Sequence, residues 1–552
     1  MTTSTKAPEN TVRFPVPADL DGFWMFDQVH CPRPLSPLTR EILLAALTEG
    51  FCSALLEVGY PLGIVMRVVN TYGYIALPPH LGPDGAALNL PAWDEAASTA
   101  SMADLGERWE HELLPSVMPG IMRLRTLDYA ALSDDELLAT LGDLRRDLVR
   151  RWHVHGYILF SYQAASALDD FYQATFTPVD PSEPYQLLAG FDTRALDTHR
   201  GLWRLSRIIR RSAALTCLLT ETPPSGGVLA LKSSDEGRAF LGELHAYLEE
   251  YGWRVDAILE LAEPTWREDL TVPLNALRGL MALPDAEDPD VRLRRIVERR
   301  ERLLAEARAH LAGDPDGLAL FEVLYEQARH HVIIDENHNF YLDQMGNSAM
   351  RLPVLELGRR LVRHGATDWP DDVFMLTMAQ IRAGLGGVNH RATVAEQRAE
   401  LAHWASIAPP PTLGESPPDE EIDPFLAAMI KTDSPTVPQE QTATLIRGTG
   451  ASPGTACGRA KVARSLEEAS TIEPGQILVC EMTLPAWSIL FATAGAVVAD
   501  TGGILSHCAT VAREYGIPCV VGTVVGTTTI KDGMLLEVDG SVGTVRIVDG
   551  SA

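Results

Sequence analysis

The chain has 552 residues and a formal net charge of −28, with 46 Lys and Arg against 74 Asp and Glu. That length allows three or four domains, and the acidic balance, without a basic block, argues against a nucleic-acid-binding protein. Seven scattered cysteines without a Cys-x-x-Cys pair argue against a disulfide framework and a zinc site. We therefore expect a cytoplasmic protein, and since no apolar leader or run of about 18 apolar residues occurs, we expect no membrane span.

The chain opens with a polar stretch and then a mixed segment. Residues 1–12 are predicted to be a disordered tail. Residues 13–90 mix aromatic residues, prolines and short apolar runs, and "IVMRVVNTYGYIALPP" has the alternation of a strand. We interpret 13–90 as the α/β opening segment of a domain that extends to residue 405.

Most of residues 92–405 follow a helical pattern. "LSDDELLATLGDL" opens with a Ser-Asp-Asp-Glu capping signal and continues with apolar residues at i, i+3 and i+4. The Arg-rich run at 292–310 is interleaved with Glu, so we interpret it as a solvated helix face and not as a polyanion site.

Composition changes twice beyond residue 405. Residues 406–442 are rich in Pro, Asp, Glu and Ser, as is typical of a linker. In 443–552, short apolar strands alternate with Gly turns, and one helix is predicted at 507–515. The predicted fold class is therefore α+β and multidomain, with a mainly α-helical substrate domain followed by a small α/β domain.

The stretch "TGGILSHCATVAREYGIPCVVG" (501–522) carries the strongest chemical signal. Gly502 and Gly503 allow positive φ and a close backbone approach. Ser506 is a plausible N-cap for a helix that begins near His507. The helix N-terminus favours an anion and disfavours an imidazolium, so it suits a neutral, nucleophilic histidine that holds a phosphoryl group. The alternative is a helix cap beside an ordinary surface histidine.

This stretch resembles the phosphohistidine signature of the phosphoenolpyruvate-utilising enzymes, which include phosphoenolpyruvate synthase, pyruvate phosphate dikinase and rifampin phosphotransferase. The runs "GTGASPGTACGRAKV" and "IKDGMLLEVDGSVGTVRI" resemble the first and last strands of their swivelling domain, so the resemblance covers 443–552. It implies that His507 is the phosphorylated residue, with Gly502, Gly503, Ser506 and Arg513 shaping its loop. Cys508 stands where the family usually has alanine, either as a reactive thiol or as a small buried residue.

The helical region resembles, more weakly, the substrate domain of rifampin phosphotransferase, on "ENHNFYLDQ", "LELGRRLVRHG" and "DDVFMLTMAQI". The resemblance implies a pocket for a small organic substrate among these helices. The candidate pocket residues are Glu336, His338, Tyr341, Asp343 and His30, the last in the Pro-rich run "DQVHCPRPLSP". The alternative for 336–343 is a helix start with capping polar groups.

The remaining histidines give weaker signals. His153 and His155 are interpreted as flanking a helix surface, and their spacing makes no metal pair. His330 and His331 are adjacent, so they face different directions on a helix. We assign no metal site on this chain.

The sequence lacks a glycine-rich phosphate loop with an adjacent lysine, and "PSGGVLALKSS" (224–234) is too weak a candidate. We therefore expect no ATP site here. ATP and Mg²⁺ would act on a separate ATP-grasp subunit that loads His507, as in phenylphosphate synthase-type proteins that lack the ATP-grasp domain. The first alternative is an ATP-independent dehydratase, lyase or isomerase with His507 as general acid or base. The second is a regulatory or scaffolding relative.

Overall fold

The computed structural model describes residues 14–82, 84–90, 104–177, 182–415, 442 and 444–549. The predicted tail and most of the predicted linker lie outside these residues. None of the helices within the described ranges combines the length and the apolar composition that crossing a bilayer requires. Below, "helical region" means residues 14–415 and "C-terminal domain" means residues 444–549.

Helices dominate the helical region. Those of at least eight residues are α1 Pro37–Glu57, α2 Leu114–Thr126, α3 Asp134–Ile158, α4 Tyr162–Thr175, α5 Arg194–Arg211, α6 Ala213–Glu221, α7 Pro224–Lys232, α8 Asp235–Tyr251, α9 Thr271–Ala282, α10 Pro289–His310, α11 Pro315–His338, α12 Arg351–Arg363, α13 Met378–Leu385 and α14 Arg391–Ala405.

Local sequence signals explain where several of these helices begin. Ser133 and Glu136 form the predicted capping box at the start of α3, in which each side chain bonds the other residue's backbone N–H. The weak phosphate-loop candidate at 224–234 forms α7 instead of a loop. Helix α11 continues into a π-helical segment, Asn339–Gly346. Such widened turns occur often at functional sites because they change the direction of side chains.

A small antiparallel sheet packs at one end of the helical region. It contains β1 Trp24–Phe26, β2 Val65–Val69, β3 Tyr72–Ala76 and β4 Thr412–Leu413, in the order β2-β3-β1-β4. The run predicted as one strand is therefore the hairpin β2–β3. Since β4 pairs with β1, the chain up to residue 415 belongs to the helical region, whereas the predicted linker begins at 406.

The C-terminal domain is built on an eight-stranded sheet, in the order β5-β12-β11-β7-β8-β9-β10-β6. Its strands are β5 Leu445–Arg447, β6 Thr449–Ser452, β7 Thr455–Ala463, β8 Ile477–Cys480, β9 Ala496–Ala499, β10 Cys519–Val521, β11 Leu535–Asp539 and β12 Thr544–Asp549. Strands β7 to β10 are parallel to one another, and their buried apolar runs suit a sheet covered on both faces.

Helical elements cover that sheet. They are α15 Leu466–Ser470, the 3₁₀ segment Pro485–Ala492, α16 His507–Tyr515 and the single turn Gly526–Thr529. The sequence predicted α16 but not the shorter elements, which are too short for a helical period to appear. The two parts confirm the predicted fold class: a mainly helical region followed by a small α/β domain.

The two parts share one hydrophobic core, which we call the domain seam. It joins buried residues of α5, α8 and α9 to buried residues of the 3₁₀ segment and α16. Polar contacts cross it: Trp487 Nε1 donates to Asp256 Oδ1 at 2.7 Å, and Asn275 Nδ2 donates to Ser470 Oγ at 2.9 Å. The C-terminal domain is therefore docked on the helical region.

The Arg-rich helix α10 is only partly the solvated face that was predicted. Arg294 and Arg295 are exposed. Arg292, on another side of the helix, donates to the carbonyl of Ala492 across the domain seam at 3.2 Å. Arg300 donates to the carbonyl of Gly190 at 2.9 Å. The spacing of Arg and Glu residues in the sequence could not show that the C-terminal domain contacts the side of α10 that carries Arg292.

Candidate active site

The loop before α16 has the positive φ predicted for Gly502 and the N-cap predicted for Ser506, whereas Gly503 has no positive φ. Gly502 has a φ of +90°, and a Cβ there would lie 2.9 Å from Ser506 Cβ, so a side chain would collide. The carbonyl of Gly503 accepts a hydrogen bond from the Ser506 N–H at 3.1 Å. Ser506 is the N-cap residue, whose Oγ lies 3.5 Å from the Ala509 nitrogen. The loop therefore delivers His507 as the first residue of the helix.

Arg513 holds the same loop from the other end of α16. Its Nη1 donates to the carbonyls of Ile504 and Ala451, both at 2.9 Å. The guanidinium carbon lies 5.1 Å above the ring of Tyr185, in the helical region. Burial lowers the Arg513 pKa to about 10, so the side chain stays charged at neutral pH. It therefore ties the histidine loop both to the sheet and to the opposite face.

Hydrogen bonds of the Asp500 side chain hold the start of the loop in place. Its buried carboxylate accepts hydrogen bonds from the backbone N–H of Gly526 at 2.5 Å and of Thr527 at 3.0 Å. The hydroxyls of Thr523 and Thr527 donate to it as well. The carboxylate thereby fixes the strand end from which Gly502 departs.

We expect Asp500→Ala to destabilise the C-terminal domain by about 3 kcal/mol, because two buried backbone N–H groups lose their acceptor. Urea unfolding followed by circular dichroism measures this loss. Asp500→Asn keeps one acceptor oxygen and should fall between Ala and the wild-type chain. A loss below about 1 kcal/mol for Asp500→Ala would show that the carboxylate does not brace the loop.

The ring of His507 lies where charged groups of the helical region, Asp335 and Arg254, act on it. Nδ1 lies 3.5 Å from Thr483 Oγ1. Nε2 is buried and has no hydrogen-bond partner among the described residues. Burial lowers the His507 pKa, and the Thr483 carbonyl, as an acceptor of a ring N–H, opposes part of that shift. We therefore assign the proton to Nδ1 and the free lone pair to Nε2.

The surroundings keep this imidazole neutral. Burial lowers the His507 pKa to about 4, and the charge of Arg254 lowers it further, while the charge of Asp335 opposes the shift. The group is therefore unprotonated at neutral pH, as a nucleophile must be.

Three carboxyl groups of α11 and α16 interact where the two parts of the protein meet, and one of them, Asp335, acts on His507. Asp335 lines a narrow crevice at the domain seam together with Leu505, Thr510 and Arg513, and it accepts a hydrogen bond from Tyr162 at 2.5 Å. The other two carboxyl groups that interact with Asp335 are those of Glu336 and Glu514.

Burial raises the pKa of Glu336 well above its ordinary value, and the charges of Glu514 and Asp335 add to the rise. Burial also raises the pKa of Glu514 to about 7. Glu336 therefore keeps its proton to higher pH than an ordinary glutamate does, while Glu514 titrates near neutral pH.

A second polar cluster lies deeper in the helical region. Asp343, in the π-helical segment, accepts from His155 Nδ1 at 3.0 Å, and its other oxygen lies 3.5 Å from His338 Nε2. His155 and His30 have ring centroids 5.6 Å apart, and His30 Nδ1 lies 2.9 Å from Asp27 Oδ1. We call His30, His155, His338 and Asp343 the histidine cluster.

The structure divides the predicted pocket residues into three groups. Glu336 lies at the domain seam, in electrostatic contact with Glu514 of α16. His338, Asp343 and His30 belong to the histidine cluster. Tyr341 belongs to neither group: its ring packs at 5.1 Å from that of Phe340. Residues 336–343 lie at the end of α11 and in the π-helical segment, so the alternative of a helix start is wrong.

Sequence reasoning missed or misplaced several residues of these sites. His155 is buried beside Asp343 and does not lie on a helix surface, which corrects its interpretation. His331 is buried and lies 2.8 Å from Ser161 Oγ, as expected for the inward member of its pair. Arg254 and Glu514 gave no signal, because their importance comes from contacts between distant segments.

Cys508 is buried, and its Sγ lies 3.7 Å from Cys519 Sγ. The position therefore fits the small buried residue and not the exposed thiol that reactivity needs.

Comparison with known proteins identifies two segments. Residues 153–336 match the family described as the rifampicin phosphotransferase fourth domain, and residues 472–543 match the mobile domain of PEP-utilising enzymes. The first segment ends at Glu336, and the second contains His507. The two matched domains therefore meet at the domain seam.

The chain is also similar to parts of longer proteins. The chain is 34% identical to chondramide synthase of Chondromyces crocatus, over 98% of this chain and 14% of that protein. It is 29% identical to an uncharacterised phosphotransferase, YvkC, of Bacillus subtilis, over 97% of this chain and 63% of that protein. Phosphoenolpyruvate synthase of Aeropyrum pernix is 54% identical over 18% of this chain and 12% of its own. The chain thus spans less than two thirds of these relatives.

Proposed function

From the two segments that match domains of phosphoenolpyruvate-utilising enzymes, we propose that His507 carries a phosphoryl group to a hydroxyl of a small organic substrate held by the helical region. The observation that supports the proposal most is the state of the imidazole. Nδ1–H is held at Thr483, and the unpaired Nε2 lone pair lies at the domain seam. That is the arrangement of a nucleophile whose tautomer is fixed.

In the transfer step, the hydroxyl oxygen of the substrate attacks phosphorus. The bond from phosphorus to His507 Nε2 breaks as the new oxygen–phosphorus bond forms, and Nε2 regains its lone pair. The hydroxyl proton passes to a carboxylate, and Asp335 is our candidate for this acceptor because it lines the crevice beside the histidine loop.

Loading of the histidine requires a phosphoryl donor. We propose that an ATP-grasp module, on a partner subunit or elsewhere, supplies it from ATP and Mg²⁺. The raised pKa values of Glu336 and Glu514 reduce the negative charge of both groups near neutral pH, and so reduce their repulsion of an incoming phosphoryl group.

One observation favours the second candidate, an ATP-independent elimination or isomerisation. A protonated Glu336 and a neutral His507 would supply an acid and a base at one interface. However, a general base works best with a pKa near the working pH, and the His507 pKa of about 4 makes it a weak proton acceptor. Carriage of a phosphoryl group needs only the neutral form, so we prefer it.

The two candidates differ in their need for a phosphoryl donor. We expect phosphoramidate, a small chemical donor that needs no partner, to give an acid-labile phosphohistidine at His507, detected by mass spectrometry of the intact chain and its peptides. Hydroxyl compounds added afterwards should discharge it. Conversion of an organic substrate without any phosphoryl donor, together with no labelling at His507, would establish the second candidate instead.

A further inference from the structure

We propose that the histidine cluster binds one divalent transition-metal ion, with His30, His155 and Asp343 as ligands. One ring nitrogen of each histidine and one carboxylate oxygen of Asp343 lie within 4.8 Å of one another. Ligands of a four-coordinate ion at about 2.1 Å stand about 3.4 Å apart. Small side-chain rotations therefore bring the three atoms to coordination distance.

The hydrogen bonds around the cluster set the tautomers that metal binding needs. His30 Nδ1 lies between the two carboxylate oxygens of Asp27, at 2.9 and 3.1 Å, so Nδ1 carries a proton. An ion would bind His30 through Nε2. A carboxylate behind a ligand histidine is the usual supporting contact of a metal site, because it orients the ring and strengthens the ligand.

His338 adds an independent argument. Its Nδ1 lies 3.2 Å from the Ile334 carbonyl, where only an N–H makes a favourable contact. Its Nε2 lies 3.5 Å from Asp343 Oδ2, while Asp343 Oδ1 lies 3.0 Å from His155 Nδ1. Each oxygen of the Asp343 carboxylate therefore faces an imidazole nitrogen.

The surroundings suit a site that is closed on most sides. His155 and Asp343 are buried, and the His155 ring stacks on Trp152 with centroids 5.0 Å apart. His30 is partly exposed, which provides access for the ion. Two imidazoles and one carboxylate form a borderline ligand set that prefers Zn²⁺, Co²⁺ or Fe²⁺ over Mg²⁺. Three protein ligands leave a coordination position open for water or for an oxygen of a substrate.

Co²⁺ tests the proposal, because its visible absorption bands report its ligands. We expect the full chain, stripped of metal, to bind one Co²⁺ with new visible bands that Zn²⁺ abolishes by displacement. Asp343→Asn and His155→Gln should weaken binding at least tenfold. Asp27→Asn, which changes the carboxylate behind His30 and beside Cys31, should weaken it by about 10- to 100-fold. The exposed His245→Gln is the matched control and should bind as the wild type does.

Circular dichroism separates a lost site from a lost fold. Variants with an unchanged spectrum that fail to bind Co²⁺ support the site. Absence of stoichiometric binding to the wild-type chain would overturn the proposal. Equal binding by Asp343→Asn and His245→Gln would overturn it too, since the ion would then sit on surface histidines.

Discussion

His507→Asn is expected to reduce labelling by phosphoramidate to background, a loss of at least about 100-fold. The Asn side-chain N–H can replace Nδ1–H at Thr483, so the loop keeps its contact. The substitution removes Nε2, which has no hydrogen-bond partner to lose among the described residues. We therefore expect the melting temperature to change by less than about 2 °C, and mass spectrometry and calorimetry measure the two effects.

The exposed His245→Asn is the control and should leave labelling unchanged. If His507→Asn were labelled as strongly as the wild type, another group would be the phosphoryl acceptor. If labelling were lost together with the fold, the loss would not identify Nε2 as the phosphoryl acceptor. The melting temperature of His507→Asn distinguishes these two cases.

Docking of the C-terminal domain is expected to weaken on the order of tenfold between pH 6.5 and 8.5. In the docked protein, burial raises the pKa of Glu336 well above its ordinary value and that of Glu514 to about 7, and we expect undocking to expose both carboxyl groups. An acid whose pKa is raised on docking favours the docked state while it holds its proton. That contribution is lost as the pH rises through the docked pKa.

Two buried histidines have the opposite effect on docking, but only at lower pH. Burial lowers the pKa of His507 to about 4 and that of His199, which stacks on Tyr515 across the domain seam, to about 3. Their protonation therefore favours the undocked state below about pH 6.5, the ordinary histidine pKa. Above that value they are neutral in both states, and only the carboxyl groups titrate.

The chain offers natural labelling sites for the measurement. Cys217 in the helical region and Cys457 in the C-terminal domain are exposed, and fluorescence energy transfer between dyes on them reports docking, after Cys52→Ser. Glu514→Gln should weaken the dependence near pH 7, because an amide mimics the protonated acid, and combining it with Glu336→Gln should flatten the dependence. Glu326→Gln, exposed on the helix that carries Glu336, should leave it unchanged. A wild-type signal that is flat from pH 6.5 to 8.5 would show that these carboxyl groups do not control docking.

The histidine loop could be predicted from the sequence because its determinants are local. Gly502, Ser506 and His507 lie within six residues, and each has a backbone role that its residue type limits. The order of helices followed by short strands likewise gave the fold class. Boundaries were less certain, since β4 at Thr412–Leu413 is held by pairing with β1, nearly 400 residues earlier in the chain.

The cluster around Asp343 shows what sequence reasoning could not reach. His30, His155 and Asp343 come from three separate segments, so no spacing pattern relates them. His155 also lies two residues from the partly exposed His153 on the same helix, and only the packing of Trp152 and Phe51 shows which of the two faces inward. Charged groups that meet at the domain seam escaped prediction for the same reason.

The apolar character of the domain seam affects the timing of any carrier cycle. Each departure of the C-terminal domain would break the contact of Trp487 with Asp256 of the helical region and expose an indole that is almost fully covered when docked. Exposure of that area is unfavourable, so the fraction of time spent away from the helical region is small. Release, and not diffusion along the connecting segment, would then limit how often His507 reaches its phosphoryl donor. A slow turnover with a long residence beside the acceptor would be the kinetic signature.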